Sequence, residues 1–224
     1  YQRYAMIDMN RANIDKNAIA FAFSYAEAGY VAGFTAAKTT QTGSIGLVCG
    51  QRITQVQDFA RGFKDGAKYA DDKVKVNTVY INDFYDAYTA RNRAEEMYRG
   101  GADVVCHLAG LSGQGVIEAA QNTGKWAISV DGSETRLPQN VLAAIIINYE
   151  MAIYEACQSI EENRFAGGSS RLLNLSNDGI MLNLAIGTPP NDTKAVLKVK
   201  DDIAAGKITV CNNNNRIVNY QILS

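Results

Sequence analysis

The chain lacks the marks of several large protein classes. No apolar run approaches the ~20 residues that a membrane-crossing helix needs. Lys and Arg number 22 against 23 Asp and Glu, for a formal net charge of -1. With no surplus of positive charge to neutralise phosphates, nucleic acid and anionic membranes are poor partners. The four cysteines, Cys49, Cys106, Cys157 and Cys211, form no Cys-x-x-Cys pair, so neither a zinc site nor a dithiol redox site is expected. Cys49 and Cys106 each end an apolar run, and the pair reads either as a disulfide between strands of one sheet or as two buried thiols. There is one histidine, His107, and no Ser, Cys or carboxylate stands in a recognised catalytic spacing with it. No catalytic residue and no cofactor is expected, and the chain is not read as an enzyme. Gly110-Leu111-Ser112-Gly113-Gln114-Gly115 has the glycines of a phosphate loop but not its Gly-Lys-Ser/Thr ending. It reads as a helix start whose N–H groups face ligand or solvent. The opening Tyr1-Gln2-Arg3-Tyr4 carries neither an initiator Met nor a signal pattern, which is expected of a mature or trimmed product.

What is present is the balance of a globular α/β protein: 47% hydrophobic residues, 20% charged, and 19 Gly against 3 Pro. Apolar runs alternate with amphipathic stretches at the remove expected of βαβ units and a doubly wound parallel sheet. Strands are predicted at Tyr4 to Asp8, Gly43 to Gly50, Val74 to Ile81, Ala102 to Cys106, Trp126 to Val130 and Val141 to Ile147. Helices are predicted at Tyr25 to Thr39, Val56 to Tyr69, Ala87 to Arg99, Gly115 to Thr123, Tyr149 to Glu161 and Asp192 to Ala205. Arg171 to Leu175 and Gly179 to Ala185 read as a hairpin around Ser176-Asn177-Asp178. The polar tail Asn212 to Asn215 is expected at the surface or poorly ordered. In such sheets ligands bind outside the carboxyl ends of the strands. Here those ends carry Asp8, Gly50-Gln51-Arg52, Asn82 to Asp86, His107 to Gly110 and Asp131-Gly132-Ser133, so one site is expected.

An ordered set of segments then resembles the basic membrane protein (BMP) family of substrate-binding lipoproteins that serve ABC transporters. The segments are the strand ending at Asp8, Tyr25-Ala26-Glu27-Ala28-Gly29-Tyr30-Val31-Ala32-Gly33, Phe59-Ala60-Arg61-Gly62-Phe63-Lys64-Asp65-Gly66-Ala67, Gly101-Ala102-Asp103-Val104-Val105 and Gly113-Gln114-Gly115-Val116. The resemblance runs from about Tyr4 to Ile208. It implies a type I periplasmic-binding-protein fold, two α/β lobes joined by a three-strand hinge, with a purine nucleoside or purine base held between them. It also implies an ABC permease as partner and an extracytoplasmic location, periplasmic or anchored through an acylated N-terminus. A ligand-sensing receptor of the same fold is the alternative, and a nucleoside-processing enzyme is third. In the family about a hundred residues, a size within the range of a domain, precede the strand that ends here at Asp8. The first lobe is therefore expected to be incomplete, its N-terminal segment supplied as a fragment or by another copy. Polarity breaks at Thr39-Thr40-Gln41-Thr42 and after Asp131 divide the chain. Residues 1–40 and 137–165 are assigned to the first lobe with the hinge, and residues 41–136 and 166–224 to the second.

Six residues are candidates for ligand contact: Asp8, Phe84, His107, Gly110, Asp131 and Tyr149. Phe84 matches the family aromatic that stacks on the purine, a contact that contributes ~1–3 kcal/mol per base; the plainer reading is a core residue at a strand end. Asp8 and Asp131 follow apolar strands, where a carboxylate accepts bonds from base nitrogens or sugar hydroxyls or simply caps the next turn. His107 is a ligand hydrogen-bonder or a structural strand-end histidine. Glu27 and its small neighbours read as helix packing. The resemblance places Ile147 where nucleoside-binding members carry a ribose-holding lysine, and Asn148-Tyr149 where a base-binding branch has Asn/Asp-Trp. The implied ligand is a nucleobase in preference to a nucleoside.

Overall fold

The computed structural model describes residues 2–9, 13–130, 137–185 and 193–211. Asp131 and the tail Asn212 to Asn215 lie outside the described residues. Nine strands are described: β1 (Tyr4–Ile7), β2 (Ala18–Phe23), β3 (Ser44–Cys49), β4 (Lys75–Tyr80), β5 (Val104–Leu108), β6 (Trp126–Val130), β7 (Val141–Ile147), β8 (Ser169–Leu173) and β9 (Ile180–Leu184). Six helices accompany them: α1 (Tyr25–Thr39), α2 (Thr54–Ala70), α3 (Ala87–Arg99), α4 (Gly113–Thr123), α5 (Tyr149–Glu161) and α6 (Thr193–Ala204).

The strands form two sheets, a parallel three-stranded one in the order β1-β2-β8 and a six-stranded one in the order β4-β3-β5-β6-β7-β9. The larger is parallel except for β9, which runs antiparallel to β7. Its central strands are buried on both faces, as a sheet covered by helices on each side requires. Ile45, Leu47, Val104, Cys106 and Ile128 point into the core cluster shared with α1 and α2. Val48, Val105 and Ala127 point into the cluster shared with α3 and α4.

The α1–α2 contact explains the small residues of the first helix. A Cβ on Gly29 would lie 2.1 Å from the Phe59 carbonyl oxygen, and one on Gly62 would lie 2.0 Å from the Ala26 carbonyl oxygen. Gly33 and Gly66 stand in the same relation to Phe63 and Tyr30. Each glycine costs about 1 kcal/mol of helix propensity relative to alanine. The backbones approach closely enough to enclose Phe59 and Phe63 completely, and burying one such side chain contributes about 1.5–3 kcal/mol. Packing therefore outweighs propensity here.

The structure corrects the sequence reading at three points. β2, an apolar run buried at every position, was not expected as a strand. The hairpin is absent: β8 pairs in parallel with β2, whereas β9 pairs with β7 in the other sheet. A capped 3-10 turn at Leu175–Asn177, followed by Asp178 at φ 58°, carries the chain from one sheet to the other instead of reversing it. The sheets also regroup segments of the expected division. β7 stands in the six-stranded sheet, β8 in the three-stranded sheet, and α1 packs on α2. The chain changes sheet at strand ends, after β2, β7 and β8, and not at the polarity breaks.

Candidate ligand-binding site

The three changes of sheet lie side by side. Ser24 N–H donates to the Leu173 carbonyl at 2.9 Å, and Asn148 N–H donates to the Gly179 carbonyl at 3.0 Å. At this junction the Tyr25 hydroxyl donates to Asp8 Oδ2 at 3.0 Å and lies 3.0 Å from the Tyr149 hydroxyl. A phenol has one proton, so while Asp8 is ionised the Tyr25 oxygen accepts from Tyr149. The Tyr149 ring meets Phe23 edge-on, with centroids 5.1 Å apart. Gln55, in the first turn of α2, extends its Nε2 to the Asp8 carbonyl at 3.4 Å. Asp8 itself has φ 58°, a left-handed conformation that Asp tolerates better than most residues. Burial holds its carboxyl above the usual carboxylate range, and the Tyr25 hydroxyl draws it part of the way back. Thus residues from both sheets, remote in sequence, form one polar cluster.

A second group forms at the carboxyl edge of the larger sheet. Phe84 is half-buried and packs on the core. Its ring covers Gly50 so closely that a Cβ there would lie 2.2 Å from Phe84 Cε1, and Gly110, at φ 54°, lies against its Cβ. Ser112 N–H donates to the Phe84 carbonyl at 3.0 Å, tying the two loops together. Arg52, on the neighbouring loop, lies over the Tyr80 ring at 3.9 Å. Phe84 thus packs on the core and keeps some exposed surface.

His107 is placed differently. It is 4% exposed, its ring lies against Gly113 at the start of α4, and neither ring nitrogen has a partner among the described residues. Burial lowers its pKa to about 4, so it is neutral at pH 7. Cys49 and Cys106 are both buried free thiols, and burial pushes Cys49 up to about 12. Ile147 is enclosed within the sheet, and Asn148 caps α5 by accepting from Met151 N–H at 3.1 Å. Tyr25 and Gln55 were not singled out from the sequence. Tyr25 reads as the first residue of a small-residue helix, and nothing local signals a hydroxyl aimed at a residue 17 positions earlier.

Among the described residues no group of three or more His, Cys, Asp or Glu is arranged to hold a metal. No described helix is long and apolar enough to cross a membrane.

Two parallel-rich sheets joined by three adjacent crossovers define an α/β fold of the periplasmic-binding-protein type. A solved solute-binding protein of an ABC transporter system from Aeropyrum pernix K1 superimposes with a TM-score of 0.81 at 23% identity, over 93% of this chain and 70% of that one. A transcriptional activator of the comK gene from Bacillus halodurans superimposes equally, with a TM-score of 0.81 at 18% identity, over 92% of this chain and 71% of that one. Likeness at these identities establishes the fold, which serves both classes. The sequence is more specific. Residues 1–214 match the family model Bmp, described as ABC transporter substrate-binding protein PnrA-like, and the chain belongs to that family. Basic membrane protein D of Borreliella burgdorferi (strain JD1) is 34% identical over 92% of this chain and 63% of its own length. The ABC transporter nucleoside-binding protein BmpA of Lactococcus lactis subsp. cremoris (strain MG1363) is 33% identical over 87% of this chain and 60% of its own length. The chain thus spans less than two thirds of the length of these relatives.

Proposed function

We propose that the chain forms the larger part of an extracytoplasmic substrate-binding protein that captures a purine between two lobes and delivers it to an ABC permease, without catalysing a reaction on it. The observation that carries this reading is the Asp8–Tyr25–Tyr149 cluster at the junction of the sheets. An ionised carboxylate there accepts hydrogen bonds from base nitrogens or sugar hydroxyls, each contributing about 1.5–3 kcal/mol. Phe84 supplies a π-face, Gly110 lets the loop approach it, and Asp131 supplies a second acceptor. His107 serves the same edge from beneath the start of α4.

The ligand is a base in preference to a nucleoside. A buried ribose hydroxyl left without a partner costs about 1–3 kcal/mol, and Ile147 offers it none. The residues that the relatives have beyond the matched part complete the smaller lobe, as a joined segment, a separate fragment or a contribution from another copy. They also carry the lipid anchor.

The test is to purify the complete protein under mild conditions and identify its retained small molecule by mass spectrometry. A purine base is expected. A retained nucleoside would overturn the preference, and failure of every purine to bind would leave only the family and fold standing.

A further inference from the structure

Glu27 is a buried carboxylate placed among the three crossovers, and the ligand cluster does not use it. It is 7% exposed and lies in the first turn of α1, directly after the first crossover. Its Oε2 accepts the Leu175 N–H at 3.0 Å, across 148 residues of sequence, from the turn that forms the third crossover. The backbone around it is tightly joined. Ser24 N–H bonds the Leu173 carbonyl, Ile180 N–H bonds the Asn174 carbonyl, and Asn148 N–H bonds the Gly179 carbonyl. A Cβ on Gly179 would lie 2.3 Å from Leu173 Cβ, so the third crossover has little room to shift on its own.

Among the described residues no positive charge is paired with Glu27. The face of α2 against α1 carries Phe59, Gly62, Phe63 and Gly66, and farther along it Tyr69 meets Tyr30 and Phe34. β7 carries only apolar side chains. β5 offers the neutral thiol of Cys106, raised by burial. On β8, Arg171 is paired with Glu155 at 2.9 Å. On α6, Lys198 is paired with Asp202 and Lys200 with Asp201, Lys194 is exposed, and Asp178 on the turn is exposed. The groups that act on the carboxyl are the Leu175 N–H and the Ser24 hydroxyl, and burial outweighs both, raising its pKa to about 7.

We propose that Glu27 is a proton-operated tie across the hinge, linking the first crossover to the third. Protonated, the carboxyl stays buried and keeps its bond to Leu175, which holds the two sheets as described. Ionised, it is a buried charge without a cation, a state stabilised by admitting water. The carboxylate is the stronger acceptor for Leu175 N–H, but its desolvation cost exceeds that gain. The arrangement in which α1 and the third crossover part and water reaches the charge is therefore favoured, and the sheets gain freedom to move relative to one another. The device depends on the hinge geometry alone and stands whatever ligand is bound.

The test uses the complete protein labelled with 15N, and follows the Leu175 amide from pH 5 to 8.5. A single transition centred near pH 7 is expected in its chemical shift. Its protection from hydrogen exchange, referred to neighbouring strand amides, is expected to fall at least tenfold above that transition. Glu27→Gln keeps an acceptor for the amide but cannot ionise, and is expected to abolish both changes. A Leu175 signal that does not move over this range, or one that titrates identically in Glu27→Gln, overturns the proposal. Should Glu27→Gln fail to fold, the 13C shift of the wild-type Glu27 carboxyl decides the matter. Titration near 7 supports the tie, and titration near the ordinary 4.5 overturns it.

Discussion

Two helices of this chain are treated in opposite ways. α1 is buried from Tyr25 through Ala37 and lies backbone to backbone on α2. α5, of similar length, buries only Ala152 and Ala156, and leaves Ile153 54% and Tyr154 65% exposed. The six-stranded sheet thus has helices packed closely on it and holds its own core. The three-stranded sheet ends in β1, a strand whose Tyr4 is 49% exposed, beside a thinly packed helix. Within this chain the buried apolar contacts are concentrated on the larger sheet, and the smaller sheet keeps apolar surface open. Their junction, where Asp8, Tyr25 and Tyr149 meet, lies between the closely packed side and the open one.

The sharpest way to break this contrast is Gly33→Val. Its Cβ would begin 1.9 Å from the Phe63 carbonyl oxygen, so the helices must separate. Urea unfolding should show a loss of about 3 kcal/mol or more. A loss below about 1 kcal/mol would mean that the α1–α2 contact is not the rigid element.

Next in size is the pH dependence of the closely packed side. Glu27 is raised from 4.5 to about 7, so its folded form holds more proton. The stability it contributes is full below about pH 4.5 and is lost as pH rises through 7. His107 is lowered from 6.5 to about 4, and its contribution is full above 6.5 and lost as pH falls through 4. Each displacement corresponds to about 3 kcal/mol. Between pH 4.5 and 6.5 the two slopes oppose, so wild-type stability should be nearly level there. Glu27→Gln should uncover a rise with pH, and His107→Phe a fall. His107→Phe should leave stability near pH 7 almost unchanged, because both ring nitrogens lack partners among the described residues. Two flat variant profiles would show that neither group is titrating in the buried state.

Much of this organisation was legible in the sequence. β6, β7, α3 and α5 begin and end where apolar period and turn residues place them. Ala18–Phe23 was not read as a strand, although it is apolar at every position, as β7 is. Arg171 to Ala185 misled because alternation around a polar turn is local, whereas the choice of partner strand is made by residues such as Phe21 and Ile145, far away in sequence. The site divides in the same way. Asp8 and Tyr149 were recognisable singly, but the tyrosine that joins them, and the carboxylate that ties two crossovers, become visible only when segments more than a hundred residues apart are brought together.

Smaller effects sharpen the comparison on the open side. Asn148→Ala removes the cap of α5 and its bond to Met151 N–H. A loss of about 1 kcal/mol is expected, with faster exchange confined to α5. Ile153→Ala should change stability by less than about 0.5 kcal/mol, as an exposed substitution does. A larger loss would show that α5 is better packed than its exposure indicates.

The most direct test of purine capture at the junction is calorimetry on the complete protein with adenine and adenosine, for wild type, Phe84→Ala and Ile147→Lys. Wild type should bind adenine more tightly than adenosine. Phe84→Ala should weaken both by about 1–3 kcal/mol, and Ile147→Lys should move the preference toward adenosine. Equal or tighter binding of adenosine by wild type, or unchanged affinity in Phe84→Ala, would contradict the proposed site.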